Sequence, residues 1–327
     1  VVKFLIIRLS SIGDIVLTTP VVRCLKKQVK GSEVHFLMKK QYACIFENNP
    51  YIDRLWLYDK NLPQIIHELK RERFDYIIDL HRNLRTLWIK SELKVLSFSF
   101  DKLNIRKWIL VNFKMNTLPQ IHIVDRYLAT TKLFDVKNDG EGLDYFLSSE
   151  DKKPLPEIEA LKSSKYIALS IGAKHNTKKA PAAKLVAIID RLQLPVVILG
   201  DGTDHIEAEK ICQMSSNKNI LDLTGKLSLN KSANVIMFSK IVITHDTGLM
   251  HIAAAFRKII ISIWGSTIPE FGMYPNKPGA GSRIFEVKGL KCRPCSKLGY
   301  KKCPKGHFDC MIKQDESEIA QWVNQLQ

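Results

Sequence analysis

The chain has 327 residues, 45% hydrophobic and 25% charged, the composition of a soluble globular protein with room for two ordinary domains. Fifty Lys and Arg against 33 Asp and Glu leave a net charge of +17, so the expected partners are acidic: nucleic acid, anionic lipid or a phosphorylated substrate. No apolar run reaches membrane-spanning length and no signal peptide stands at the start, so a membrane-spanning chain is excluded and the expected location is cytoplasmic.

Val2–Arg8 reads as a buried strand, followed by the loop Leu9–Asp14 and a helix over Ile15–Lys30. Pro20 falls inside that helix and should kink or divide it. Strand, Gly13 loop and helix put a site at the carboxyl edge of a sheet, although no G-x-G-x-x-G fingerprint is present. Asp14 then lies near a helix N-terminus, where it serves either as a cap or as a reactive carboxylate. Further strands are expected at Glu33–Met38, Tyr51–Tyr58 and Phe74–Leu80, with a helix at Leu62–Arg73. The last of these strands runs into Asp79-Leu80-His81-Arg82-Asn83-Leu84-Arg85. Arg82 and Arg85 suit a phosphate or carboxylate ligand; a solvated basic loop is the plainer alternative. Asn104–Met115 interleaves cations with large apolar residues, as a domain helix or as one lying on a membrane surface. His122–Phe134 is a further helix. Gly140, Gly142 and the Pro-rich stretch Ser148–Pro156 mark the domain boundary.

The second half repeats the alternation. A strand at Lys165–Ile171 precedes Gly172–Pro181, whose Lys174, Thr177, Lys178 and Lys179 suit a diphosphate. A helix is expected at Ala182–Leu192 and a strand at Leu194–Leu199, ending in Gly200-Asp201-Gly202-Thr203-Asp204. That carboxylate-bearing loop suits a nucleoside, with Asp204 or Asp201 on the ribose. Ile220–Thr224, Gly225 and Leu227 are expected to line the base pocket. Lys240–Thr244, His245–Gly248, Leu249–Phe256 and Lys258–Trp264 form a strand–loop–helix–strand unit. In it Asp246 and Thr247 are N-cap types, Gly248 admits a ligand, and the helix N-terminus offers an anion site that His251 can reach.

Cys292, Cys295, Cys303 and Cys310 form C-x2-C-x7-C-x6-C, with His307 inside. This is either a structural Zn2+ site or a set of reduced thiols in a loop, with the thiols preferred. Glu316–Leu326 is a final helix.

Four of these stretches, in this order, resemble glycosyltransferase family 9, the ADP-heptose:lipopolysaccharide heptosyltransferases. They are R-x-S-S-I-G-D at residues 8–14, D-L-x-R-N-L-R at 79–85, T-K-K-x-P at 177–181, and D-T-G-x-x-H-x-A-A at 246–254. The resemblance implies a GT-B type α/β fold, two Rossmann-like domains facing across a cleft. These would be an acceptor domain at 1–153, a nucleotide-sugar domain at 154–312, and a last helix (313–327) crossing back to the first. It implies Asp14 as general base and Lys178 (Lys179 being the rival) neutralising the donor phosphates. Lys174, Thr177, Asp204, Leu227, Asp246, Thr247, Gly248 and His251 would serve the donor, and Ser10, Ser11, Gly13, Arg82 and Arg85 the acceptor. The implied reaction is an inverting heptose transfer from ADP-heptose to a lipid A–Kdo or Kdo–heptose acceptor. No D-x-D pair is present, so no metal cofactor is expected. The expected protein is a monomer in peripheral contact with the anionic inner membrane, binding no nucleic acid. Two alternatives stay open: another nucleotide sugar or acceptor on the same architecture, and a basic zinc-containing nucleic-acid module.

Overall fold

The computed structural model describes residues 1–159, 161, 163 and 165–326. By internal contact the chain forms two compact units, Val1–Lys102 with Ile121–Ser148, and Leu103–Gln120 with the chain from Ser149 onward.

In the first unit β1 (Val2–Ile7) leads through α1 (Ile12–Val16) and α2 (Thr19–Gln28) to β2 (Ser32–Lys39) and β3 (Arg54–Tyr58). Then come α3 (Leu62–Arg71), β4 (Tyr76–Asp79), α4 (Leu84–Leu93) and β5 (Leu96–Ser99). The strand order is β3-β2-β1-β4-β5, all parallel. Helices cover both faces of such a sheet, so the inner strands are near-continuous apolar runs. In β1, Phe4, Leu5, Ile6 and Ile7 are all fully buried. Pro20 does divide the expected helix: it opens α2, where its missing N–H costs nothing. Arg23 on α2 is buried and bonds Asp139, Asp144 and the Gly142 carbonyl, so the glycine-bearing segment is fastened to this unit. α5 (Asn104–Phe113) belongs to the second unit, where Leu110 packs with Ile268 and Phe271; the sequence reading had placed it in the first. α6 (Ile123–Leu128) and a 3-10 turn, Ala129–Phe134, return to the first unit.

The second unit continues with α7 (Pro156–Glu159), β6 (Ile167–Ser170), α8 (Ala182–Ile189), β7 (Val196–Leu199) and α9 (His205–Met214). β8 (Ile220–Asp222), α10 (Leu229–Phe238), β9 (Ile241–His245), α11 (Gly248–Ala255) and β10 (Ile259–Trp264) follow. β11 (Arg283–Glu286), α12 (Asp309–Ile312) and α13 (Glu316–Asn324) complete it. The order β11-β10-β9-β6-β7-β8, again parallel, is that of a dinucleotide-binding sheet. The final helix, expected to return to the first domain, packs on α8 of its own unit. Ile319, Ala320 and Val323 join Leu185 and Ile189 in one core.

Both sheets reverse their strand order once, between β1 and β4 and between β6 and β9. Ligands of open parallel sheets bind beyond the carboxyl ends of the strands at such a reversal. The loops after β1, β4, β6 and β9 therefore border the two ligand crevices.

Candidate active site

After β1 the chain turns through Ser10 and Ser11 into α1, with Ser11 at the N-cap and Asp14 three residues on. Asp14 is thus inside the first helical turn rather than in the loop before it. Its Oδ2 accepts from the Ser11 hydroxyl (2.8 Å) and its Oδ1 meets Arg8 Nη2 at 2.7 Å. Arg8 is itself fixed: Nε donates to the Ser10 carbonyl (2.8 Å), Nη1 to the Leu80 carbonyl (2.5 Å) and the Tyr127 hydroxyl (3.0 Å). Burial works against the Asp14 charge, but Arg8 and Ser11 outweigh it and hold the carboxyl below its ordinary range. Asp14 is therefore ionised and ready to accept a proton. Gly13 is buried in the same turn.

Beyond β4, Asp79 is wholly buried and organises the second loop. It accepts from the His81 and Arg82 N–H groups (3.0 and 2.7 Å) and the Thr86 hydroxyl (2.9 Å), and pairs with Lys90 (3.0 Å). His81 is half-buried, and burial together with Arg8 and Lys102 lowers its pKa to about 4, so it is neutral at pH 7. Arg82 is exposed at positive φ and bonds the Phe100 carbonyl (3.1 Å); Arg85 is exposed on the first turn of α4. The structure thus gathers Ser11, Gly13, Asp14 and His81 at one switch point, with the two arginines on its rim.

In the second unit, Lys178 and Lys179 diverge. Lys178 Nζ reaches over to the loop after β9 and pairs with Asp246 Oδ2 (2.5 Å), which also accepts from the Thr267 hydroxyl (2.9 Å). Thr247 is the N-cap of α11 with extended backbone, and its side chain makes no capping bond. The first-turn N–H groups, beginning at Gly248, are left to a ligand or water. His251 lies buried one turn further on. Lys179 instead pairs with Asp204 (2.5 Å). Asp204 is buried between two glycines: a Cβ on Gly172 or Gly200 would lie 2.4 or 2.8 Å from its side chain. The carboxylate expected on the ribose is therefore packed inside, while its rival Asp201 is exposed. Thr177 also departs from expectation. It is buried, and its hydroxyl donates to the Tyr300 carbonyl (3.1 Å) and accepts from the Tyr300 N–H (2.7 Å) and the Ser266 hydroxyl (2.9 Å). With these three bonds the hydroxyl holds the loop in place. Lys174 is exposed and Leu227 half-buried.

Sequence reasoning missed His245 as a support. The Ala180 N–H donates to His245 Nε2 (3.0 Å), which ties the lysine loop to β9. Burial, then Lys179, lowers the pKa of this histidine to about 4. It missed Tyr127 in the same way, whose hydroxyl accepts from Arg8, 119 residues away and itself the first residue of the 8–14 motif.

Cys292, Cys295, Cys303 and Cys310 are free thiols close enough to affect one another's charge. Burial first, then the other three sulfurs, push Cys310 up to about 12. Among the described residues no three or more His, Cys, Asp or Glu form a set that could hold a metal ion. No helix among them is long and apolar enough to cross a membrane.

Two Rossmann-ordered sheets, each with charged loops at its switch point, define a GT-B type fold. The sequence profile of glycosyltransferase family 9 (heptosyltransferase) matches residues 63–299, and the chain belongs to that family. Lipopolysaccharide heptosyltransferase 1 of Campylobacter coli is 28% identical over 291 residues, covering 81% of this chain and 84% of the relative. The structure of a family 9 glycosyl transferase from Veillonella parvula superposes with a TM-score of 0.78 at 21% identity, covering 99% and 96% of the two chains. That of the Escherichia coli ADP-heptose LPS heptosyltransferase II gives 0.75 at 17%, covering 99% and 98%.

Proposed function

We propose that this protein transfers heptose from ADP-heptose to the lipopolysaccharide inner core, with a lipid A–Kdo or Kdo–heptose acceptor, by an inverting and metal-independent displacement. The observation that carries the reading is the pair of switch points. One presents an ionised carboxylate held by an arginine, the other an ammonium group beside an uncapped helix N-terminus. The names of its relatives supply the sugar and the acceptor class.

In this mechanism Asp14 accepts the proton of the acceptor hydroxyl while that oxygen forms its bond to the anomeric carbon. The bond from that carbon to the diphosphate breaks, and its electron pair leaves with the phosphate oxygen. Lys178 and the N–H groups at Gly248 neutralise the growing negative charge, a service that a divalent ion gives elsewhere. Thr247 and His251 complete that end of the site. Asp246 positions Lys178 and gives it up when the diphosphate arrives. Lys179 extends the cationic rim. Asp201, the exposed carboxylate of its loop, takes the ribose hydroxyls, and Leu227 flanks the base. Ser10 and Ser11 shape the base loop, and Arg82 and Arg85 face phosphate on the acceptor. The enzyme works as a monomer at the cytoplasmic face of the inner membrane.

The test is acceptor-dependent ADP release from ADP-heptose with lipid A–Kdo, by wild type and Asp14→Asn. Release by wild type that is lost in the variant, while ADP still binds, supports the transfer and its base. ADP binding without release points to a different sugar or acceptor. Loss of turnover on adding a chelator to folded enzyme would remove metal independence, and retention of the donor's anomeric configuration would remove inversion.

A further inference from the structure

The ion pair at the donor end has a third member. The chain leaves β10 at Trp264 and runs through Gly265 and Ser266 to Thr267, which is fully buried. The Thr267 hydroxyl donates to Asp246 Oδ2 at 2.9 Å, the same oxygen that meets Lys178 Nζ at 2.5 Å. One carboxylate oxygen therefore carries two donors. The first is an ammonium on a long flexible stem. The second is a neutral hydroxyl on a short side chain, delivered from the neighbouring strand.

The backbone that carries this hydroxyl is fastened from two sides. Arg293 Nη2 donates to the Thr267 carbonyl (2.8 Å) and to Glu286 Oε2 (2.9 Å), and its Nη1 to the Val287 carbonyl (2.8 Å). One residue earlier, the Ser266 N–H donates to the Thr177 carbonyl (3.2 Å), and the Ser266 carbonyl accepts from the Cys295 N–H (3.0 Å). Arg293 lies between Cys292 and Cys295. The cysteine-bearing segment thus supports Thr267 through its backbone and its one arginine. Lys178 has room to move where Thr267 does not.

This difference bears on how the donor is received. Moving Lys178 off Asp246 takes its cation from a carboxylate that is 12% exposed, and removing the partner of a sheltered charge is costly. The Thr267 hydroxyl stays on Oδ2, so the carboxylate keeps a hydrogen bond when the ammonium turns to phosphate.

We propose that Thr267 is a positioning residue for donor binding, which retains Asp246 while Lys178 passes from that carboxylate to the diphosphate. The proposal rests on the reading of Lys178 as the cation of the donor phosphates, and adds the group that releases it.

The experiment measures binding of ADP and of inorganic pyrophosphate to the full chain as wild type, Thr267→Val and Thr267→Ser, with the kinetics of ADP-heptose alongside. Valine keeps the shape and removes the hydroxyl; serine keeps the hydroxyl. Thr267→Val should bind both ligands about tenfold more weakly, the worth of one hydrogen bond to a charged group, and Thr267→Ser should keep the wild-type affinity. KM for ADP-heptose should rise by the same factor in Thr267→Val with kcat unchanged, because Lys178 is on the phosphates both in the bound state and in the transition state. In a Lys178→Ala background, adding Thr267→Val should cost nothing further, since no ammonium is left to release. Equal affinity of Thr267→Val and wild type overturns the proposal. So does equal weakening in the valine and serine variants, which would assign the effect to packing, and so does a full further loss in the Lys178→Ala background. Lys178→Ala that binds ADP and pyrophosphate as tightly as wild type overturns the reading of Lys178 itself, a failure separate from that of Thr267→Val alone.

Discussion

At the carboxyl end of β1 the cation is the sheltered member of its ion pair, and at the carboxyl end of β6 the carboxylate is. The Arg8 side chain is 10% exposed against 22% for Asp14. Lys179 is 23% exposed against 4% for Asp204, and Lys178 16% against 12% for Asp246. The sheltered partner is also bonded to the scaffold outside the pair: Arg8 to two carbonyls and a phenol, Asp204 to the Asp201 N–H, and Asp246 to the Thr267 hydroxyl. Each pair therefore fixes one charge and presents the other. The first unit presents an anion, which suits taking a proton; the second presents cations, which suit phosphate.

The sharpest break of this comparison is at the presented groups. Asp14→Asn keeps the shape and removes the charge, and should lower kcat by roughly 10²- to 10⁴-fold in the ADP-release assay. Lys178→Ala should cost about 10²- to 10³-fold in kcat, as removal of one charge-stabilising donor does. A smaller loss there than in Lys179→Ala would exchange their roles. The sheltered members should answer differently. Arg8→Gln removes the cation that holds Asp14 down, so the acidic limb of the kcat/KM profile should move to higher pH. An unmoved limb would detach that limb from Asp14.

Stability should sharpen the picture on the donor side. His245 is buried and neutral, with its pKa lowered from 6.5 to about 4. Between those values the unfolded chain binds a proton that the native state does not. Its stabilising contribution is complete above about pH 6.5 and is lost as the pH falls towards 4, by roughly 3 kcal/mol in all. Urea midpoints across that range should show this slope, and His245→Asn should flatten it. The smallest effect is expected for Gly172→Ala, whose Cβ would press on Asp204 and cost about 1–3 kcal/mol in the same measurement.

Much of this was legible in the sequence where the chain is locally determined. The buried central strands announce themselves as apolar runs, and their order follows from βαβ alternation. The edge strands β5 and β11 did not, because Leu96–Ser99 has no buried residue and Arg283–Glu286 only Phe285. Asp14 and the Asp246–His251 stretch were visible as motifs. Their partners were not: Arg8 is held by Leu80 and Tyr127, 72 and 119 residues away. The loop alone does not say which of Asp201 and Asp204 turns inward, since Gly172, in the loop after β6, shares with Gly200 the space that Asp204 fills. The anchoring of the Thr177 hydroxyl was hidden for the same reason, Tyr300 claiming it from 123 residues on.

The course of the backbone bears on how such enzymes exchange parts. The chain passes from one unit to the other at 102/103, 120/121 and 148/149, three times in all. A chimera that joins one parent's first 153 residues to another's remainder would seat Leu110 of the first on Ile268 and Phe271 of the second. A hybrid that keeps native packing must carry residues 103–120 with the second half. Simple recombination at the Pro-rich boundary does not deliver that, so the apolar face of α5 is inherited with the gene's front end but is constrained by its back.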